Sequence, residues 1–187
     1  TAKIKSLTER FRDECGNADI MELMCAASLA HHGLLISVNS LVLRNVDLSP
    51  VPAQNLASLA SCVTDTLKIK NVSGCGLVSI LTNLKCYELH IWRQSLGRED
   101  TQALVQAMES GVEKVVLLLD DEVTLDMEAL AEYSGQGVCR MVGLYGDTAT
   151  RYRGELVTWA RSRNWRVKEY PNLDEDWRCI VQRSATD

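Results

Sequence analysis

Three acidic residues follow the most apolar run of the chain and could hold a divalent cation. The run Val115–Leu119 leads directly into Asp120, Asp121 and Glu122, an order similar to the Walker B strand of ATPases, whose carboxylate holds magnesium or orients water. Nucleotide binding also requires a phosphate-cradling GxxxxGK[ST] loop, and the sequence contains none. We therefore interpret the run as a buried strand that ends in an acidic turn. A nucleotide-binding α/β enzyme is the less favoured alternative.

The histidines and cysteines do not form a recognisable metal-binding or nucleophilic pattern. His31, His32 and His90 have no cysteine pairs at zinc-ligand spacing around them, and no GxSxG nucleophile elbow occurs. The seven cysteines are odd in number and include no CxxC pair, which indicates reduced thiols in the cytoplasm. They are Cys15, Cys25, Cys62, Cys75, Cys86, Cys139 and Cys179. We predict no catalytic residues, no metal and no cofactor.

Composition narrows the class of partner. The formal net charge is -5, which argues against broad affinity for nucleic acid. No stretch approaches the roughly 18 apolar residues that a membrane span needs. The expected partner is therefore a protein, or a neighbouring domain of the same polypeptide, and self-association is a further option.

A short unit recurs along the chain. It consists of an apolar residue, any residue, a second apolar residue, any residue, and then a polar or small residue. Successive copies begin 26, 22, 27, 26 and 23 residues apart, within the roughly 20–29 residues of leucine-rich repeats. Helix-spaced apolar residues follow each of the first five copies, so the pattern predicts strand, turn and helix in alternation. The copies begin at Leu41, Leu67, Leu89, Val116, Val142 and Trp165.

The copies resemble leucine-rich repeats of the longer, helix-bearing kind, as in ribonuclease inhibitor and in the C-terminal repeat region of NOD-like receptors. The resemblance is carried by Leu41, Leu43, Asn45 and Leu48, and by Leu67, Ile69 and Asn71. It implies an α/β solenoid, a short horseshoe arc with parallel strands on the concave face and helices on the convex face. It also implies that Asn45 and Asn71 turn inward and bond the backbone of neighbouring coils. Later copies depart from this pattern with Arg93, Asp120 and Gly146 at that position.

We divide the chain into three regions. Residues 1–35 do not fit the repeat, but their helix-spaced apolar residues predict a helical N-terminal cap that continues a linker from an upstream domain. Residues 36–171 form the solenoid, of about five to six repeats. We expect residues 172–187 to form an acidic C-terminal tail or cap, or to fold back through Cys179, Ile180 and Val181 as a last strand.

Strand alternation sends the residues between the inward leucines to the concave face. The resulting apolar, aromatic centre with a charged rim is typical of a protein-binding patch. Because Val115–Leu119 is apolar throughout, a slip of one residue there would exchange the two faces. The expected partner-binding residues are Arg44, Lys68, Lys70, His90, Trp92, Leu117, Leu119, Tyr145, Arg166 and Lys168.

The resemblance implies a non-catalytic interaction module in the cytoplasm. Within that family, the implied role is the ligand-sensing or autoinhibitory repeat domain of an innate immune receptor. A ribonuclease-inhibitor-like or scaffold arc that binds a protein ligand is the alternative. The family, and not the spacing of the residues, is the source of both roles.

Overall fold

The computed structural model describes residues 20–118, 123–145, 149–171 and 177–183. The helices are α1 (Ile20–His31), α2 (Ala53–Cys62), α3 (Gly76–Asn83), α4 (Arg98–Ser110), α5 (Met127–Ala131) and α6 (Ala149–Ser162). The strands are β1 (Val38–Asp47), β2 (Val63–Ser73), β3 (Glu88–Trp92), β4 (Lys114–Leu118), β5 (Met141–Tyr145), β6 (Trp165–Pro171) and β7 (Trp177–Arg183). Helices and strands alternate as far as β6, as the sequence pattern predicts, and a second strand then follows β6 directly.

One open sheet of seven strands, in the order β1-β2-β3-β4-β5-β7-β6, organises the fold. Strands β1 to β5 are parallel and lie side by side in chain order, whereas β7 is antiparallel to both of its neighbours. Because β–α–β crossovers are right-handed, a sheet that grows in one direction receives its connecting helices on one face. The predicted α/β class is confirmed, with a sheet that is mostly parallel and partly antiparallel.

Aliphatic side chains fill the space between the sheet and the helices. Alternate residues of each strand point to this side, because successive side chains of a strand face opposite ways. Aligned across the parallel strands, they form two buried rows to which α2, α3 and α4 add leucines such as Leu56, Leu81 and Leu104. The rows are Leu41, Leu67, Leu89, Val115 and Val142, and Leu43, Ile69, Ile91, Leu117 and Leu144.

Strand β4 lies one residue away from its predicted register. Leu89 pairs with Val115, and Ile91 pairs with Leu117, which is only 1% exposed. The assignment of Leu117 to the concave face is therefore wrong, and the fourth repeat begins at Val115 and not at Val116. An all-apolar run has no polar alternation to fix its phase, so pairing with the neighbouring strands decides it. Leu119 lies outside the described residues.

The C-terminal end of the sheet also differs from the expected sixth parallel coil. Strand β7 lies between β5 and β6, so β6 does not pair with β5. Cys179 and Val181 of β7 are fully buried, and Trp165 of β6 is 4% exposed. The segment expected to be a tail or cap therefore contributes a strand with a neighbour on each side, because its alternating apolar residues complete the buried face.

Helix α1 covers the β1 end of the helical layer. Its buried residues Leu23, Ala26, Ala27 and Ala30 pack in the core cluster, and the helix contacts α2. The helix ends before Gly33, whose φ of 69° is readily adopted by glycine. It lies in the region predicted to be a helical cap, although residues 1–19 of that region are outside the described part.

Candidate functional site

The sheet face opposite the helices carries three rows of aligned side chains, and we call it the open face. Most of these side chains are exposed or half-buried, in contrast to the rows on the helical side. The first row is Ser40, Thr66, Glu88, Lys114, Met141, Gln182 and Arg166. The second is Val42, Lys68, His90, Val116, Gly143, Ile180 and Lys168, and the third includes Arg44, Lys70, Trp92, Leu118 and Tyr145.

The open face brings together eight of the ten residues that the sequence predicts for partner binding. They are Arg44, Lys68, Lys70, His90, Trp92, Tyr145, Arg166 and Lys168. Leu117 is in the core, and Leu119 is not described. Sequence reasoning missed Val116, Leu118 and Ile180, which occupy the middle of the face. Strand pairing is the signal that identifies these residues. A run in which every residue is apolar does not show which side chains face outward.

Trp92 is held at the centre of the open face by two polar neighbours. The Nζ atom of Lys68 lies 6.0 Å from the Trp92 ring centroid, within the range of a cation–π interaction. The His90 ring meets the Trp92 ring edge to face, with centroids 5.9 Å apart. These contacts orient the indole and leave it half-buried. An aromatic side chain in this state can fill a pocket on another molecule.

Tyr145 lies over the backbone of Gly143 in the same strand. A Cβ atom on Gly143 would be 3.0 Å from Tyr145 Cε2, so the absence of a side chain there lets the ring lie close to the sheet. Across β4, Val116 is 6% exposed and Leu118 is half-buried. The middle of the open face is thus a continuous aromatic and aliphatic surface.

Glu88 forms a charged cluster with His90 and Lys114 at one end of the open face. Its Oε1 atom lies 3.1 Å from His90 Nε2 and also forms an ion pair with Lys114 Nζ. Partial burial acts to raise the pKa of Glu88, but the hydrogen bonds and charges of Lys114 and His90 outweigh it and lower the pKa. The carboxylate is therefore ionised and neutralised by its neighbours.

The arrangement around His90 does not match nucleophilic catalysis. A histidine base activates a serine or cysteine only within hydrogen-bonding distance. Among the described residues, no hydroxyl or thiol hydrogen-bonds to His90, and its Nδ1 atom is buried without a partner. Nor does any group of three or more His, Cys, Asp or Glu in those ranges have the geometry of a metal site. Asp120, Asp121 and Glu122 lie outside the described residues.

The polar residues near the carboxyl ends of β1 and β2 do not form the asparagine ladder implied by the resemblance. Asn45 and Asn71 have φ angles of 51° and 48°, are exposed, and bond each other through Asn71 Nδ2 and Asn45 Oδ1 at 3.0 Å. They do not turn inward, so this expected role is wrong. Arg93 shares their left-handed backbone, with φ of 48°. This left-handed conformation interrupts the regular backbone of β1 and β2, and asparagine tolerates it best after glycine.

Gln94 makes the kind of bond between successive strands that was expected of the asparagines. Its Oε1 atom accepts a 2.7 Å hydrogen bond from the backbone N–H of Val72. In the repeat pattern the inward polar residue follows the last strand leucine by three positions. Counting from Ile91, that position is Gln94, and counting from Ile69 it is Val72. The predicted position is therefore one residue too early, at the second residue after the apolar pair.

A groove lies between α5 and α6. It is lined by Met127, Ala131, Gly154, Trp159 and Arg163, among other residues. The Arg163 guanidinium lies 5.2 Å from the Trp159 ring and donates to the carbonyls of Tyr133 and Ala131. Its charge therefore serves packing between neighbouring helices.

The sequence matches no protein-family model, and none of the curated proteins compared with it is significantly similar. Within the described ranges, no helix is long and apolar enough to cross a membrane. The geometry of the open face is therefore the observation that bears most directly on function.

Proposed function

We propose that the chain is a non-catalytic protein-interaction module of the leucine-rich-repeat type, and that its open face binds a protein partner. One observation carries the proposal: Trp92, Leu118 and Tyr145 are aligned in one row of a sheet face that none of the described helices covers. Parallel sheets usually have both faces covered. A partly apolar open face on parallel strands favours association with another surface.

Contacts between successive repeats support the leucine-rich-repeat assignment. The buried strand residues Leu41, Leu67, Leu89, Val115 and Val142 recur every 26, 22, 26 and 27 residues. Beyond the strands, the chain continues to bond from one repeat to the next: Leu48 N to Ser73 O at 2.9 Å, and Leu96 N to Thr124 O at 2.8 Å. Turns that bond in this way are expected of coils stacked in an arc.

Within this class, the resemblance favours a cytoplasmic role as the sensing or autoinhibitory repeat domain of a NOD-like innate immune receptor. The ligand would be a protein or a neighbouring domain of the same receptor. The six described cysteines are all free thiols, which suits a reducing compartment. A ribonuclease-inhibitor-like or scaffold arc would use the same face, and the domains encoded around this chain would distinguish the two roles.

A peptide-display selection against the intact chain tests the binding surface. Ligands recovered with the wild-type protein are measured again with Trp92→Ala and Tyr145→Ala. Tyr87→Ala is the matched control, since Tyr87 is an exposed aromatic residue outside the three rows. We expect each open-face variant to weaken binding about thirtyfold, which corresponds to about 2 kcal/mol at an aromatic hot spot. Ligands that bind all three variants equally would place the site elsewhere and refute the proposal.

Calorimetry separates this function from the nucleotide-binding alternative. Titration of ATP with magnesium into the chain should release no binding heat, because an interaction module has no phosphate cradle. Saturable heat that disappears with Asp120→Asn would favour the enzyme.

A further inference from the structure

The charge of the open face is opposite in sign to the charge of the chain. The whole sequence has a net charge of -5. The described residues of the three rows nevertheless include six lysines and arginines and a single carboxylate, Glu88. The cations are Arg44, Lys68, Lys70, Lys114, Arg166 and Lys168. The negative charge of the protein therefore lies mostly off this face, and the face presents a positive field to a partner.

The cations lie mainly on the two sides of the face. Arg44, Lys68 and Lys70 belong to β1 and β2, and Arg166 and Lys168 belong to β6. Between them, β3, β4, β5 and β7 present Trp92, Leu118, Tyr145 and Ile180, among other residues. Lys114 lies in the middle but is bound to Glu88. The face therefore has a basic side, an apolar middle and a second basic side.

The separation of the two basic sides sets the size of the ligand. Five strand spacings lie between β2 and β6. At about 4.8 Å for each spacing, the two sides are roughly 24 Å apart along the sheet. An extended peptide covers that distance in about seven residues.

We infer that the open face takes an extended acidic protein segment, in which two acidic clusters flank an apolar stretch of about seven residues. This inference rests on the proposed function and names the chemistry of its partner. Carboxylates of the segment pair with the lysines and arginines of both sides, while its apolar residues cover Trp92, Leu118 and Tyr145. A nucleic acid fits less well, because its phosphates are continuous and would meet an aliphatic surface in the middle of the face.

Fluorescence anisotropy with labelled synthetic peptides tests the inference on the intact chain. The probe peptide has glutamate-rich ends and a leucine- and valine-containing middle of about seven residues. One control peptide replaces glutamate with lysine, and another replaces the apolar middle with serine. A single-stranded oligothymidine is the nucleic-acid competitor. We expect the probe peptide to bind, and neither the control peptides nor the oligothymidine to bind. The affinity for the probe should decrease as salt screens the charges.

Charge-reversal variants locate the bound peptide. Lys70→Glu and Arg166→Glu each reduce the positive charge of one basic side, and the two substitutions combined should weaken binding of the probe about tenfold. Lys85→Glu and Arg161→Glu make the same change of charge at exposed positions outside the three rows and should leave affinity unchanged. The salt dependence of the wild-type protein provides a second readout if a variant does not fold.

Three results would overturn the inference. Display-selected ligands that need Trp92 but show no preference for acidic ends would leave the proposed function intact and refute the charge assignment. Oligothymidine that displaces the probe and binds more tightly would make the face a nucleic-acid site. Absence of any ligand, from either the display selection or the probe, would refute the proposed function as well.

Discussion

The side chain of Gln94 accepts a hydrogen bond of 2.7 Å from the backbone N–H of Val72, 22 residues earlier in the chain. Val72 follows β2's left-handed Asn71 and is 6% exposed. At this turn its N–H bonds a side chain from the next repeat. A buried backbone donor must find a partner in the protein or in ordered water. The bond therefore joins two successive strands of the sheet near their carboxyl ends.

Gln94→Ala should lower the free energy of unfolding by about 1–3 kcal/mol, because it leaves the buried N–H of Val72 without an acceptor. Gln94→Glu keeps an oxygen in reach and should lose less. Gln102→Ala, at an exposed position of α4, controls for the loss of a glutamine. Urea unfolding measures all three. Equal stability of the Gln94→Ala and Gln102→Ala variants would show that the bond contributes nothing.

The aromatic residues of the open face should contribute little to stability, whereas those beneath the sheet should contribute much. Tyr145→Ala is expected to cost less than about 1 kcal/mol, since the ring is half-buried. Trp165→Ala should cost about 3–5 kcal/mol. Its ring packs 5.6 Å from Trp159 and 6.0 Å from Tyr133, and its Nε1 donates to Gly135 O. Thermal unfolding of both variants checks the contrast. A Tyr145→Ala variant that does not fold would show that Tyr145 belongs to the core.

The Glu88 cluster should make the stability of the folded protein depend on pH. The folded protein lowers the pKa of Glu88 from its ordinary value of 4.5, so folding favours the ionised form. This contribution is present above 4.5 and is lost as the pH falls through the lowered pKa. Glu88→Gln should be less stable than the wild type by about 1–2 kcal/mol at neutral pH.

The difference between wild type and Glu88→Gln should shrink in acid, well below pH 4.5. Urea unfolding at both pH values measures it, and Glu155→Gln, on the exposed side of α6, is the matched control. A difference that is constant with pH would mean that Glu88 acts through packing and not through its charge.

Buried cysteines should react more slowly with alkylating reagents than exposed cysteines. Burial raises the pKa of Cys86 from 9.0 to about 12 and that of Cys139 to about 11, and the reactive form is the thiolate. Alkylation followed by mass spectrometry should therefore modify the exposed Cys25 and Cys75 first. Cys86 and Cys139 should react only after denaturant is added. Labelling of Cys86 in the folded protein as fast as Cys75 would contradict the structure.

The same shifts carry a consequence for stability. Both buried thiols stay protonated in the folded chain while the unfolded chain ionises, so their contribution is complete below 9.0. It is lost as the pH rises from there through the raised values. The free energy of unfolding should decrease steadily across this alkaline range. The decrease should be smaller for the Cys86→Ala variant.

The strands β1, β2 and β3 were predictable from the sequence because polar residues on one face, such as Arg44 and Lys68, distinguish it from the apolar face. Leu41 and Leu43 alternate with Val42 and Arg44 in a pattern with one buried face, and Lys68 and Lys70 fix the face of β2 in the same way. Burying lysine is costly, so each of these strands has only one workable orientation. Most of the predicted open face follows from that constraint.

Two features depended on long-range pairing and could not be obtained from local pattern. Val115–Leu119 is apolar at every position, so only its pairing with Ile91 and Leu144 decides that Leu117 is inside. Likewise, the alternation in Cys179, Ile180 and Val181 is compatible with any place in a sheet, and its pairing with Val142 and Val167 puts β7 between β5 and β6. Residues far apart in sequence supply the free energy that selects one of several equivalent arrangements.

The sequence by itself thus determined the repeat spacing and the side of the early strands that faces water, since local polarity leaves few alternatives. Tertiary structure alone decided the phase of β4, the position of β7 and the use of Gln94 in place of Asn71, because each depends on which partner lies across the sheet. Together these choices join Trp92, Leu118 and Tyr145 into a single row.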